Sequence, residues 1–170
     1  MPESVSKSVY LVDASADPVV VRIEGRACFQ NSACLRDFVT AMLAQGKRRF
    51  VLDFQHCASM DSTFLGVLAG TALELKKGGG GGSLVLVRVG ERNHELIRNL
   101  GLHRLLTIEV GAGAANVAQC DTALQCAPPS ELESARHVLQ AHENLVTVDE
   151  SNRAKFQDVL TFLKNRVEQK

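Results

Sequence analysis

Where a short loop gives way to a helical stretch, Asp61-Ser62-Thr63 sets a carboxylate beside two hydroxyls. Residues of these types can do two kinds of chemistry there. An aspartate at the N-cap accepts a hydrogen bond from an unpaired N–H of the first turn, with small polar residues behind it. A serine just inside the helix can also offer its hydroxyl to a phosphoryl donor, because the N-terminal N–H groups tolerate an added charge of about −1.5 to −2. Spacing alone favours capping without regulation. Asp53, closing the preceding apolar run, could orient the nucleotide or magnesium of a partner kinase or cap the following turn; the structural role is the expected one.

The other reactive side chains outline no catalytic centre. Cys28, Cys34, Cys57, Cys120 and Cys126 are odd in number and form no CxxC pair. That usage predicts free thiols in a reducing compartment rather than a disulfide framework. His56-Cys57 falls short of the four converging ligands of a tetrahedral metal site, so no metal is expected. A nucleophilic cysteine would need a nearby base, and no spacing indicates one. His142 sits on an otherwise apolar helical seam and reads as a semi-buried core residue. Gly78 to Gly82 lacks the Gly-Lys-Ser/Thr ending of a phosphate loop and reads as a mobile linker. No cofactor and no enzymatic activity are expected.

Bulk properties narrow the partners. Nineteen basic residues balance nineteen acidic ones, and there is no Trp and one Tyr. Neither an electrostatic footprint nor a set of stacking platforms exists for nucleic acid. Apolar runs such as Val19-Val20-Val21 are too short to span a bilayer, and Met1 to Tyr10 has no signal-peptide h-region. The expected location is the cytoplasm.

The elements that must position Ser62 follow from periodicity. Ser8 to Asp13 and Pro18 to Glu24 are β-branched runs around a turn and predict two strands. From Asn31, residues Cys34, Leu35, Phe38, Met42 and Leu43 share a helical face, with Asn31 or Ser32 as cap and Gly46 as the stop. Arg48 to Phe54 predicts a strand that leads through Gln55 to Met60 into the Asp61 helix, where Phe64, Leu65, Leu68, Ala72 and Leu75 keep a three-four spacing. Gly66 and Gly70 form a small-residue stripe whose expected use is close packing against the sheet, with a flat partner face as the alternative. Ser83 to Val89, Glu91 to Leu100 and Leu105 to Val110 predict strand, helix and strand. The alternation implies an open α/β sheet, mostly parallel after the first hairpin.

The segment from Asp53 to Leu68, with Asp61-Ser62-Thr63 at its centre, resembles the signature of STAS domains, the family of anti-sigma-factor antagonists and of related domains in sulfate transporters. The element order and the late Leu100-Gly101-Leu102 also fit, and the resemblance covers roughly residues 5 to 112. It implies a small mixed sheet with helices mainly on one face and no catalytic residues. It places the phosphorylated residue on Ser62, with Thr63 the weaker alternative. It also implies a partner surface of Asp53, Met60, Asp61, Ser62, Thr63 and Phe64. The implied partners are a kinase-type anti-sigma factor, which binds the unphosphorylated form, and a serine phosphatase that restores it. Phe64 stands where the family often has Gly, which would put a larger apolar group beside the partner surface.

The expected organisation is a STAS domain over 1–112, a linker over 113–130 and a helical extension over 131–170. Pro128-Pro129-Ser130 marks a helix start. Two apolar rhythms, from Leu132 to Val146 and from Phe156 to Val167, predict two helices with a break at Thr147 to Asn152. Their apolar faces should fold back onto the sheet or form a homodimer.

Overall fold

The computed structural model describes residues 9–78, 81–109, 120 and 122–169. The sheet begins with strands β1 (Tyr10–Asp13) and β2 (Val19–Ala27), an antiparallel hairpin in which Tyr10 faces Ile23 and Val12 faces Val21. Helix α1 (Ser32–Ala44) returns the chain to β3 (Arg49–Met60), and helix α2 (Ser62–Lys77) returns it to β4 (Ser83–Val87). Helix α3 (Glu91–Asn99) and a 3-10 turn lead to β5 (Thr107–Glu109). A two-residue strand, β6 (Thr122–Ala123), pairs with β1 and completes the sheet order β5-β4-β3-β2-β1-β6. Pairings from β2 to β5 are parallel, as the expected crossovers require.

Alternation along the strands separates the two faces. Tyr10, Val12, Val19, Val21, Ile23, Phe50, Leu52, Phe54, Leu84 and Leu86 form one core with Leu35 and Val39 of α1, Leu65 and Leu68 of α2 and Ile97 of α3. Helices α1 to α3 therefore cover the same sheet face. On the opposite face lie Val20, Val51, Asp53 and Val87, also buried. Gly46 stops α1 with φ +88°, and the Lys47 N–H bonds the Met42 carbonyl, the left-handed cap its position predicts.

Strand β3 runs past the expected limit at Phe54. Its polar end, Gln55 to Met60, pairs with β2 across two register irregularities, so the period-two pattern breaks while the strand continues. Of the glycine connection, Gly79 and Gly80 lie outside the described residues, as do 113–119 and 121 of the expected linker. Among the described residues no helix is long and apolar enough to cross a membrane.

The last elements are α4 (Glu131–Val148), α5 (Asn152–Lys155) and α6 (Gln157–Gln169). A capping box starts α4: Ser130 Oγ accepts from the Glu133 N–H, and Glu133 Oε1 accepts from the Ser130 N–H. The chain breaks after Val148, where Asp149 accepts from the N–H and hydroxyl of Ser151. The extension does fold back, but onto α2 rather than onto the sheet, with α6 packed on α4. The cysteines also depart from expectation: Cys34 of α1 and Cys126, 92 residues apart, form a disulfide. No local spacing announces such a pair, because only the folded chain brings the two together. Cys28, Cys57 and Cys120 remain thiols.

Candidate functional site

Strand β3 delivers Asp61 to the start of α2, where the sequence expects a cap. Asp61 Oδ1 accepts from the Phe64 N–H at 2.9 Å, and Oδ2 accepts from the Phe29 N–H at 2.8 Å. One carboxylate thus fixes both the helix start and the loop ahead of α1. The Asp61 N–H donates to the Ala27 carbonyl, which ties the junction to the end of β2.

Ser62, the first residue of α2, is half-buried, and its Oγ lies 2.8 Å from His142 Nε2 on α4. The partners fix the direction of this bond. His142 Nδ1 is 2.8 Å from the Val138 carbonyl, which can only accept, so Nδ1 carries the ring proton. Nε2 of the neutral ring is then an acceptor, and the Ser62 hydroxyl donates to it. Phe156 packs edge-on against the His142 ring at 4.8 Å. Ser62 also opens into a cavity of about 470 Å³ whose walls include Met60, Leu65, Leu96, Lys155 and Phe156. The Lys155 ammonium is held there by the Asn99 carbonyl at 2.7 Å.

A helix turns about 100° per residue, which sorts the other candidates. Thr63 is 3 % exposed and lies under α4 and α6, beside Ala135, Val138 and Leu163. Phe64 is fully buried and meets Phe54 edge-on at 6.2 Å, so it belongs to the core and not to a partner surface. Asp53 is also withdrawn. Its carboxylate, on the opposite sheet face, is fully buried and takes a two-point bond from Arg88, at 3.1 and 2.7 Å. It stands roughly 20 Å back along the strand from Met60. Of the six residues assigned to the partner surface, the structure gathers Met60, Asp61 and Ser62 around one cavity and places Asp53, Thr63 and Phe64 inside the fold.

Gly66 and Gly70 share the Ser62 face, one and two turns on, and they meet neither the sheet nor an outside partner. A Cβ on Gly66 would run into the Ala141 carbonyl of α4, and one on Gly70 would lie 2.6 Å from Asn144 Nδ2. Asn144 Nδ2 donates to the Gly66 carbonyl at 3.1 Å. Sequence reasoning pointed to Ser62 but not to its neighbours His142, Lys155 and Phe156, although a histidine on an apolar seam was the available signal.

The remaining reactive groups lie apart from this cavity. Ser32, first in α1, is fully buried, with Oγ 2.7 Å from His137 Nε2. Arg36 Nη1 donates to His137 Nδ1 at 2.9 Å. Burial, and then the Arg36 charge, push this imidazole down to about 4. Burial pushes the Cys57 thiol up to about 11, which makes it a poor nucleophile at neutral pH. Among the described residues, no three His, Cys, Asp or Glu side chains converge as a metal site would need.

Residues 10–107 match the family described as Mlab, STAS domain. The fold is similar to that of the anti-sigma factor antagonist SpoIIAA in its unphosphorylated form, with a TM-score of 0.51 and 17% identity over 61% of this chain and 89% of that one. The phosphorylated form of the Bacillus cell fate determinant SpoIIAA gives 0.51 and 18% over 61% and 92%. A candidate anti-sigma factor antagonist from Thermotoga maritima gives 0.50 and 22% over 62% and 87%. At these identities the likeness is one of fold. No curated protein matches this sequence.

Proposed function

The chain belongs to the STAS-domain family, and from that premise we propose that it is a protein-binding switch, an anti-sigma-factor antagonist controlled by phosphorylation of Ser62. One observation carries the reading. Of the hydroxyls at the start of α2, Ser62 is half-buried and opens into a cavity at the surface of the helix layer, whereas Thr63 is buried under α4 and α6. A kinase-type anti-sigma factor would transfer the γ-phosphoryl group of ATP to Ser62 Oγ, releasing ADP, with the hydroxyl proton passing to a base. His142 Nε2 already accepts that proton's hydrogen bond. The phosphate would gain the N–H groups at the start of α2 and the nearby Lys155 cation, so the fold tolerates it. A partner pressed on the same surface would have to desolvate the new charge.

On this reading residues 1–112 form the binding domain and 131–170 an extension that acts on it. The strand β6 makes the middle of the 113–130 connection part of the sheet. The protein would work in the cytoplasm by contact alone, without a cofactor, and a serine phosphatase would reset it.

The test is the affinity of Ser62→Ala and Ser62→Asp for a kinase-type anti-sigma factor from the same cell. The aspartate variant is expected to bind roughly thirtyfold to a thousandfold more weakly, about 2 to 4 kcal/mol. A second reading, an unswitched STAS scaffold in a transport or signalling complex, is favoured by the hydrogen bond that already engages the Ser62 hydroxyl. It predicts equal affinity for the two variants.

A further inference from the structure

The face of α2 that presents Ser62 is occupied by α4, the first helix of the chain's own C-terminal extension. Ser62, Gly66 and Gly70 are spaced by single turns, and each meets α4. Ser62 is bonded to His142, Gly66 lies against the Ala141 backbone, and Gly70 lies beside Asn144. Ala141 and His142 are 2 % and 3 % exposed, so the seam is closed along α4, while Ser62 keeps one side on the cavity. We infer that α4, with the turn carrying Lys155 and Phe156, is a built-in cover over Ser62 that must lift before a kinase or binding partner can reach the serine.

Two features make the cover removable. The apolar core is closed by the sheet and α1 to α3; from α4 only Leu145 joins its buried cluster. Val148 and Phe156 pack against it half-buried, and the other ties are polar: Asn144 to the Gly66 carbonyl, Asn152 Nδ2 to the Leu100 carbonyl at 3.0 Å, and, towards the start of α4, His137 to Ser32 and Arg36. Each such bond adds only about 0.5 to 1.5 kcal/mol net, so the layer can open locally while the core stays folded. The Cys34–Cys126 bridge joins the segment ahead of α4 to α1, so a lifted cover pivots from that end and stays with the molecule.

The role of Ser62 as the contacted residue rests on the function proposed above, but the cover can be tested without a partner or a phosphate. Ser62→Cys in the full chain would be alkylated with iodoacetamide under non-reducing conditions, and the introduced thiol would be followed by peptide mass spectrometry, apart from the native thiols. The same rate would be measured with Gly66→Ala, whose methyl wedges α4 away, and with Asn144→Ala, which removes the bond to the Gly66 carbonyl without a clash. The introduced thiol is expected to react roughly twofold to tenfold faster in either double variant, the factor that loss of about one hydrogen bond gives to local opening. Equal rates in all three proteins overturn the cover. Hydrogen exchange on Gly66→Ala with Ser62 intact should quicken over 131–148 and not over β1 to β4. If the strands quicken equally, that variant has loosened the whole fold and Asn144→Ala decides. A chain whose Ser62 never carries phosphate but passes these tests loses the switch and keeps the cover.

Discussion

Two helices of this protein begin with a serine, and each serine is bonded to a histidine of α4, yet the two pairs run in opposite directions. At the start of α1, Arg36 occupies His137 Nδ1 as a donor, so the ring proton sits on Nε2 and Ser32 Oγ accepts it. At the start of α2, the Val138 carbonyl takes the His142 Nδ1 proton, so Nε2 accepts and Ser62 Oγ donates. Ser32 is sealed in, whereas Ser62 borders a cavity. The same residue pair at the same helical position therefore serves two ends. The first pair is a structural clamp. The second leaves the serine oxygen with a base beside it and its lone pairs free for an electrophile.

The comparison breaks most visibly in acid. His137 titrates at about 4 in the fold, below its ordinary 6.5, so the unfolded chain binds a proton that the folded one refuses between those values. Its contribution is complete above about pH 6.5 and is lost as pH falls towards 4, up to about 3 kcal/mol. Urea unfolding from pH 7 to 4 should show that loss, beyond what shared carboxylates cause, and His137→Gln should flatten it. Next in size is Ser32→Ala, which strands the buried His137 Nε2 proton and should cost about 2 kcal/mol. Asp61→Ala removes the cap of α2 and should cost about 1 kcal/mol. Ser62→Ala should cost least, below about 1 kcal/mol, because the cavity lets water satisfy His142 Nε2. Thermal melts of the three variants would rank them. Equal losses for Ser32→Ala and Ser62→Ala would erase the distinction.

What is legible in the sequence is local chemistry. Asp61 caps α2 because an Asp-Ser-Thr at a strand-to-helix junction offers an acceptor at the right place. Gly46, and the capping box at Ser130, are legible for the same reason. The helical spacing puts Phe64 on the apolar face, where the structure has it; the resemblance set it beside the partner surface, although two residues past Ser62 turn it by about 200° into the core. Strand β3 runs past its apolar stretch because bulges shift its register, and bulges do not advertise themselves in composition. The partners of Ser62, Gly66 and Cys34 lie 80, 78 and 92 residues away, and nothing local encodes them. The glycine stripe is a packing face, as its spacing suggests, but its occupant is the chain's own tail.

The account stands on Ser62, so the most direct measurement is phosphopeptide mass spectrometry on the protein isolated from its native cells, in growth and under stress. Phosphate on Ser62 in a fraction of molecules, with none on Ser32 or Thr63, is the result the account predicts. Ser62 unmodified in every condition, or phosphate found on Thr63 instead, would contradict it.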